Sequence, residues 1–361
     1  MSLSVRLSHA FPGFGLDIAF DAPPGVTVLF GRSGSGKSTV VRAVAGLMRP
    51  AAGRIALEDR VLFDSGARIM LPPHRRRLGV VFQDARLFPH LSVAQNLRYG
   101  ARFAPQGGRD DTARVVEMLG IGPLLSRRPG ALSGGERSRV AIGRALLSRP
   151  EMILADEPLA ALDAARKAEI LPYFERLRDE AGVPILYVSH AAEEVARLAT
   201  TVVVLEAGRT VRQGPALEVL GDPGVAPTGV RAVGAVLEAV VRAHHPDGLS
   251  ELDAGGVALH LPRVAQKPGQ RLRLRIAAQE VMLATAEPRD ISALNVLPGR
   301  VEAVLPGQGP GAIVTVETPA GKLLARVTRR SAGALGLAPG RPVWAVVKSV
   351  SIAPEDVGAP S

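Results

Sequence analysis

The amino-acid sequence predicts an α/β domain built on a mostly parallel sheet, followed by an all-β domain. Three observations carry this expectation. From Val26 to about Leu220, β-like runs alternate with helical patterns, as in a sheet with helices packed on it. A glycine-rich run separates the first of these strands from a helix-like stretch. Beyond a Pro/Gly-rich segment, Gly221 to Gly229, the texture changes to short alternating strands between turn signals.

The glycine-rich run is GRSGSGKST, Gly31 to Thr39. It follows the apolar VTVLF, Val26 to Phe30, and opens the helical pattern Val40 to Leu47. This order fits the phosphate-binding pattern G-x-x-x-x-G-K-[ST] of P-loop NTPases. Gly31, Gly34 and Gly36 allow a tight turn that exposes backbone N–H groups, and Arg32, Ser33, Ser35 and Thr39 complete the loop. Those donors and the positive end of the following helix suit the negative charge of a nucleoside triphosphate. Lys37 is placed for the β- and γ-phosphates, and Ser38 offers a hydroxyl to Mg²⁺.

Composition narrows the class. At 361 residues two domains are expected, and 47% hydrophobic residues suffice for packed cores. No apolar stretch is long and uncharged enough for a membrane span. Arg6 and Asp17 interrupt any signal-peptide pattern at the start of the sequence. Zero cysteines exclude disulfides and thiolate metal sites. The net charge of +10 does not read as a nucleic-acid footprint, because only five of the 44 basic residues are lysine. The densest basic run, Arg75 to Arg77, has no interleaved aromatics for stacking on bases.

Two further runs complete the chemistry of the first domain. MILAD, Met152 to Asp156, reads as a buried strand ending in a carboxylate for Mg²⁺, with Glu157 next to it to polarise an attacking water. LSGGE, Leu132 to Glu136, places Ser133, Gly134 and Gly135 before the helical RSRVAIGRALL. That is a second helix-start anion device in one chain.

In order, the motifs are GRSGSGKST, Gln83 in VFQDARLFPH, LSGGE, ILADEP, AALD from Ala160 to Asp163, and His190 in YVSH. Over roughly residues 1 to 220 the chain resembles the ATP-binding subunits of ABC transporters. The resemblance implies a head-to-tail homodimer with two ATP molecules between the phosphate loop of one copy and the LSGGE run of the other. It further implies that Gln83 senses Mg²⁺ and the γ-phosphate and that its loop touches a membrane subunit. His190 would contact the γ-phosphate, and Asp163 would lie close to the opposing site. Mg²⁺ would be held by Ser38, Gln83 and Asp156, and either Phe11 or Phe14 would stack on adenine. Glu136 stands where glutamine is frequent, Ala155 where leucine is usual, and AALD replaces the usual SALD.

The C-terminal part narrows the resemblance. ISALNVLPGRV, Ile291 to Val301, resembles the start of the molybdate-binding Mop domain, a relative of TOBE. WAVVKSVSI, Trp344 to Ile352, resembles that domain's last strand. With the Gln83 stretch, this makes the chain similar to ATPases of molybdate importers. The expected organisation is an ABC ATPase domain over residues 1–230, a first β lobe over 231–290, and an OB-like Mop/TOBE barrel over 291–354. PGQRLRLRI, Pro268 to Ile276, echoes PGRPVWAVV, Pro339 to Val347, each followed by an apolar run, VML and VSI, which suggests two related lobes. Ser292, Asn295, Lys348 and Ser349 carry the hydroxyl, amide and ammonium groups a tetrahedral oxyanion wants. Leu294 stands where Mop domains usually have arginine, which weakens that charge.

The resemblance implies ATP and Mg²⁺ as cofactors, membrane permease subunits and a periplasmic molybdate-binding protein as partners, regulatory molybdate, and no nucleic acid. It places the chain peripherally on the cytoplasmic face of the bacterial inner membrane. Tungstate and sulfate remain alternative solutes, and a soluble ABC ATPase is the rival from another class.

Overall fold

The computed structural model describes residues 2–104, 111–160, 162, 164–180, 182–220, 222, 234–306, 310–353 and 356–358. Asp163, and all of the expected linker Gly221 to Gly229 except Asp222, lie outside the described residues. The chain forms two compact units, Met1–His190 with Leu198–Gly214, and Ala191–Arg197 with Pro215–Ser361.

The elements of the first part run β1 (Leu3–Phe11), β2 (Phe14–Ala22), β3 (Val26–Phe30), α1 (Lys37–Ala45), β4 (Ala52–Leu57), β5 (Arg60–Asp64), β6 (Ile69–Met70) and β7 (Leu78–Val81). They continue with α2 (Val93–Ala101), α3 (Thr112–Met118), α4 (Gly134–Leu147), β8 (Met152–Asp156), α5 (Ala164–Glu180), β9 (Ile185–Ser189), α6 (Ala192–Leu198), β10 (Thr201–Glu206) and β11 (Arg209–Pro215). Their strands form one sheet in the order β6-β5-β4-β1-β2-β11-β10-β3-β9-β8-β7. The run β10-β3-β9-β8-β7 is parallel throughout. Every residue of β3 and of β9 is buried, as expected of parallel strands covered on both faces.

The expectation of a mostly parallel sheet needs a correction. The wing β6-β5-β4-β1-β2 is antiparallel. The short Pro12-Gly13 turn between Phe11 and Phe14 forces a hairpin, because a parallel return needs a long crossover. Alternation of buried and exposed residues along β2 shows one face on the core and the other in solvent.

In the basic run Arg75 to Arg77 the outer two arginines are exposed and the middle one is not. Arg76 is fully buried. Its guanidinium donates to Ala43 O and Val44 O at 2.9 and 2.7 Å, and to Leu71 O at 2.8 Å. It thereby caps the last turn of α1, where Ala43 O also accepts from Gly46 N at 3.1 Å. Burial pushes its pKa down to about 10, which leaves it a cation at neutral pH. Gly46, at φ 78°, ends α1, and a Cβ there would lie 2.6 Å from Arg76 Nε. Arg76→Met should cost about 3 kcal/mol, since it strands buried carbonyls. A lowered urea midpoint by circular dichroism is the expected result, and an unchanged midpoint refutes this role.

The second unit continues with α7 (Ala216–Leu220), β12 (Gly234–His244), β13 (Leu249–Ala254), β14 (Val257–Pro262), β15 (Arg271–Ala277), β16 (Val281–Ala284) and β17 (Asn295–Pro306). It ends with β18 (Gly311–Thr318), β19 (Gly321–Thr328), α8 (Arg329–Ala334), β20 (Pro342–Val347) and β21 (Val357–Gly358). Two five-stranded antiparallel sheets result, β14-β13-β12-β15-β21 and β19-β18-β17-β20-β16. Read in this direction they have the same topology, and each lends its last strand to the other. Strand β16, which follows β15, pairs with β20. Strand β21, which follows β20, pairs with β15, and Asp356 beside it meets Arg275 at 2.9 Å.

The exchange carries one hydrophobic core through both sheets, from Leu237 and Leu274 to Val314 and Val347. The sequence echo therefore has a structural counterpart, with one correction. VML lies in strand β16, whereas in VSI Val350 sits in a 3₁₀ turn and is 79% exposed.

Candidate nucleotide site

The phosphate loop runs from the end of β3 into α1. Gly36 caps that helix at φ 100° and Gly34 lies at φ 82°, backbone conformations that side-chain-bearing residues avoid. Arg32, Ser33 and Gly34 are exposed, whereas Ser35 and Lys37 are buried. Lys37 Nζ donates to Gly31 O and Arg32 O, both at 2.8 Å. Burial pushes the Lys37 pKa down, while Glu157 and Asp156 push it up. The ammonium thus sits inside the loop on the carbonyl oxygens of Gly31 and Arg32, a cation suited to an anion in the cradle.

Strand β8 delivers the two carboxylates. Ser38 Oγ donates to Asp156 Oδ1 at 2.8 Å. Burial raises the Asp156 pKa, and the Ser38 hydrogen bond opposes that shift. A hydroxyl beside a carboxylate is the hard-oxygen pair that Mg²⁺ takes, so these residues fit the ion. Glu157 turns out of the strand at φ 45°, with its N–H on Val188 O at 3.2 Å. Its Oε1 lies 3.4 Å from Nδ1 of His190, one residue past β9.

Gln83, two residues past β7, lines a cleft of about 810 Å³ with Ser38, Arg42, Asp156 and Ser138. Phe11 and Phe14, on the β1–β2 hairpin, line a second cleft of about 310 Å³ with the loop residues Ser33, Gly34, Gly36 to Thr39 and with Glu157. Their ring centroids are 6.3 Å apart. Loop, Gln83, Asp156, Glu157 and His190 all stand at the carboxyl ends of parallel strands, where α/β sheets place ligands.

The LSGGE run is divided between two hollows. Ser133, Gly135 and Glu136 line a hollow of about 370 Å³ that shares no residue with the Phe11/Phe14 cleft, and Gly134 faces the Gln83 cleft. Leu132 is buried and anchors the turn. Ser133 caps α4 through a reciprocal capping box: its Oγ accepts from Glu136 N at 3.2 Å, and its N–H donates to Glu136 Oε2 at 2.7 Å. The backbone hydrogen bond from Ser133 holds the Glu136 carboxyl below its ordinary range. Glutamate and glutamine both close such a box, which explains why glutamate is tolerated here. Arg139 and Arg166 also line this hollow and were missed from sequence. Arg139 was findable, because it lies one helical turn from Glu136.

Of the four oxyanion candidates, Ser292 and Lys348 are exposed and Asn295 and Ser349 are buried; Leu294 is exposed as well. Asn295 Nδ2 is 3.5 Å from Ser349 Oγ. Its carbonyl accepts from His260 N at 2.6 Å, and its amide donates to His260 O at 2.9 Å. The Asn295 side chain is thus engaged in tying β17 to β14.

Residues 17–160 match the ABC transporter family model, and residues 291–354 match the TOBE domain model. The chain is 50% identical to the molybdenum import ATP-binding protein ModC of Mesorhizobium japonicum, over 99% of this chain and 98% of that one. It is 51% identical to the protein of the same name from Rhizobium meliloti, over 98% and 99% of the two chains. Among solved structures it resembles a dimeric ATP-binding cassette in a post-hydrolysis state bound to ADP and Pi, with TM-score 0.50, 26% identity, and 60% and 99% of the two chains covered. It also resembles cbiO1 of Clostridium perfringens, part of an ABC transporter complex, with TM-score 0.51, 28% identity, and 61% and 90% covered. No helix among the described residues is long and apolar enough to cross a membrane.

Proposed function

This chain belongs to the ABC transporter ATP-binding family, among its molybdenum import ATP-binding proteins, and we propose that it hydrolyses MgATP to drive molybdate through a separate membrane permease. The observation that carries this reading is the convergence of Lys37, Ser38, Gln83, Asp156, Glu157 and His190 at one end of the parallel strands. The LSGGE hollow stands apart from the Phe11/Phe14 cleft. That separation supports a head-to-tail homodimer, in which each LSGGE run serves the other copy's nucleotide.

Phe11 or Phe14 stacks on adenine, and Gly31 to Thr39 wrap the phosphates. Ser38, Gln83 and Asp156 hold Mg²⁺, which supplies charge neutralisation at the phosphate oxygens. Glu157 polarises the attacking water and His190 contacts the γ-phosphate. Lys37 and Ser133 from the second copy stabilise charge spreading over the equatorial oxygens, since positioning and electrostatics dominate this chemistry. Asp163 approaches the opposing site.

The partners in this reading are permease subunits, touched through the Gln83 loop, and a periplasmic molybdate-binding protein. The place is the cytoplasmic face of the inner membrane. Ser292, Lys348 and Ser349, with Asn295 behind them, are the residues toward regulatory molybdate. The solute is tested by reconstituting the chain with its permease and binding protein in vesicles and measuring labelled molybdate uptake against competitors. Tungstate should compete at equal concentration and sulfate should not. Preference for sulfate overturns the molybdate assignment.

A further inference from the structure

The nucleotide machinery and the oxyanion residues leave one chemical cluster of the second unit unused. His245, Glu251 and His260 each offer a ligand atom, and these atoms lie within 4.8 Å of one another. The β-hairpins bring them together. Glu251 on β13 pairs directly with His260 on β14. His245 follows β12, and its N–H on Leu249 O at 2.8 Å closes the turn that carries its ring back to Glu251.

The geometry suits a small cation. His245 Nε2 lies 3.3 Å from Glu251 Oε2. Adjacent ligand atoms of a tetrahedral zinc ion, with bonds near 2.0–2.1 Å, stand about 3.4 Å apart. The rings of His245 and His260 are stacked with centroids 6.2 Å apart. Arg242 Nη1 lies 3.6 Å from Glu251 Oε1, and Oε2 is the oxygen that meets His245. Arg242 also pairs with Asp253 at 2.8 Å. The neighbouring His244 is not part of the cluster, because Ser250 Oγ and Gln266 O take its two ring nitrogens.

A second observation concerns His260 alone. Its Nδ1 is buried and has no hydrogen-bond partner among the described residues. A buried polar atom left unsatisfied is costly, and such atoms point to a group that completes them. The His260 backbone is meanwhile held at both its N–H and its C=O by Asn295. Those two bonds fix the stretch of β14 from which the His260 ring projects.

We propose that His245, Glu251 and His260 form a binding site for a zinc-type divalent cation. Two imidazoles and a carboxylate favour zinc over magnesium, which prefers oxygen ligands and keeps its waters. Three protein ligands leave the fourth corner to water. The ion would bridge the β12–β13 turn to β14 and, through Asn295, to β17.

The test uses the full chain without a histidine tag, in excess MgADP so that the nucleotide cleft is filled. Zn²⁺ is titrated against a chromophoric chelator, and Co²⁺ is titrated separately by visible absorption. One ion per chain and the strong visible band of four-coordinate Co²⁺ are expected. His245→Ala, His260→Ala and the isosteric Glu251→Gln should each weaken Zn²⁺ at least about tenfold and abolish the band. Basal ATP hydrolysis should stay unchanged, which also shows that the variants are folded. No stoichiometric uptake by the wild-type chain, or equal uptake by the wild-type chain and Glu251→Gln, overturns the proposal.

Discussion

Glu157→Gln should keep MgATP binding and lose steady-state turnover by at least about 100-fold, the scale of a general base. The substitution leaves the local fold intact. Glu157 adopts φ 45°, a conformation neither glutamate nor glutamine prefers, so the backbone strain is the same in both. Its N–H on Val188 O, 3.2 Å away, does not involve the side chain. What changes is the group 3.4 Å from His190 Nδ1: an amide cannot draw a proton from water. Binding should survive and even tighten. The Glu157 charge adds to burial in raising the Asp156 pKa. Removing it takes away one of the causes of that shift, and with it a negative charge that opposes the carboxylate form of Asp156. Phosphate release under excess MgATP measures turnover, and equilibrium titration measures binding. Normal turnover removes Glu157 from its role. Lost binding would make it a ligand residue instead of a base.

The fold around the phosphate-loop pattern was legible because that pattern is local in sequence. GRSGSGKST holds its glycines, lysine and serine in nine consecutive residues, and the strand before it and the helix after it are where the pattern requires them. The meeting of Ser38 with Asp156 is a long-range contact, legible through the family resemblance alone. The rest depended on pairings that no local pattern carries. Nothing in VML says that β16 leaves its own hairpins to join β20, since an alternating apolar run fits the edge of either sheet equally well. Arg76 reads as one of three surface cations until the open end of α1 is placed over it. Asn295 reads as an anion donor because amides serve backbone and ligands alike. That its side chain bonds the His260 backbone is visible only once β17 lies beside β14. His245 reads as the start of a turn, and the cross-strand partner that gives it chemistry is six residues away, across that turn.

Lys37→Ala should weaken ATP binding by about 100-fold, corresponding to about 3 kcal/mol of charge-assisted hydrogen bonding to phosphate. The side chain is 3% exposed and holds Gly31 O and Arg32 O, both at 2.8 Å. Two effects of the truncation must therefore be told apart: loss of the ammonium with its N–H donors, and collapse of a loop that has lost the bulk filling it. Lys37→Met keeps the length of the side chain and removes the charge and its donors, so equal loss in both variants assigns the effect to the ammonium. Larger loss in Lys37→Ala than in Lys37→Met, with a lowered urea midpoint, assigns part of it to the loop. The sign of the electrostatics favours the first outcome. Burial already pushes the Lys37 pKa down, which marks an ammonium short of solvation, and a triphosphate supplies the anion that restores it. Titration with MgATP at low and moderate salt checks this further. The wild-type to variant ratio should fall only slightly with salt, because a buried charge pair is poorly screened. A ratio that vanishes at moderate salt, or unchanged affinity in both variants, takes Lys37 out of the phosphate site.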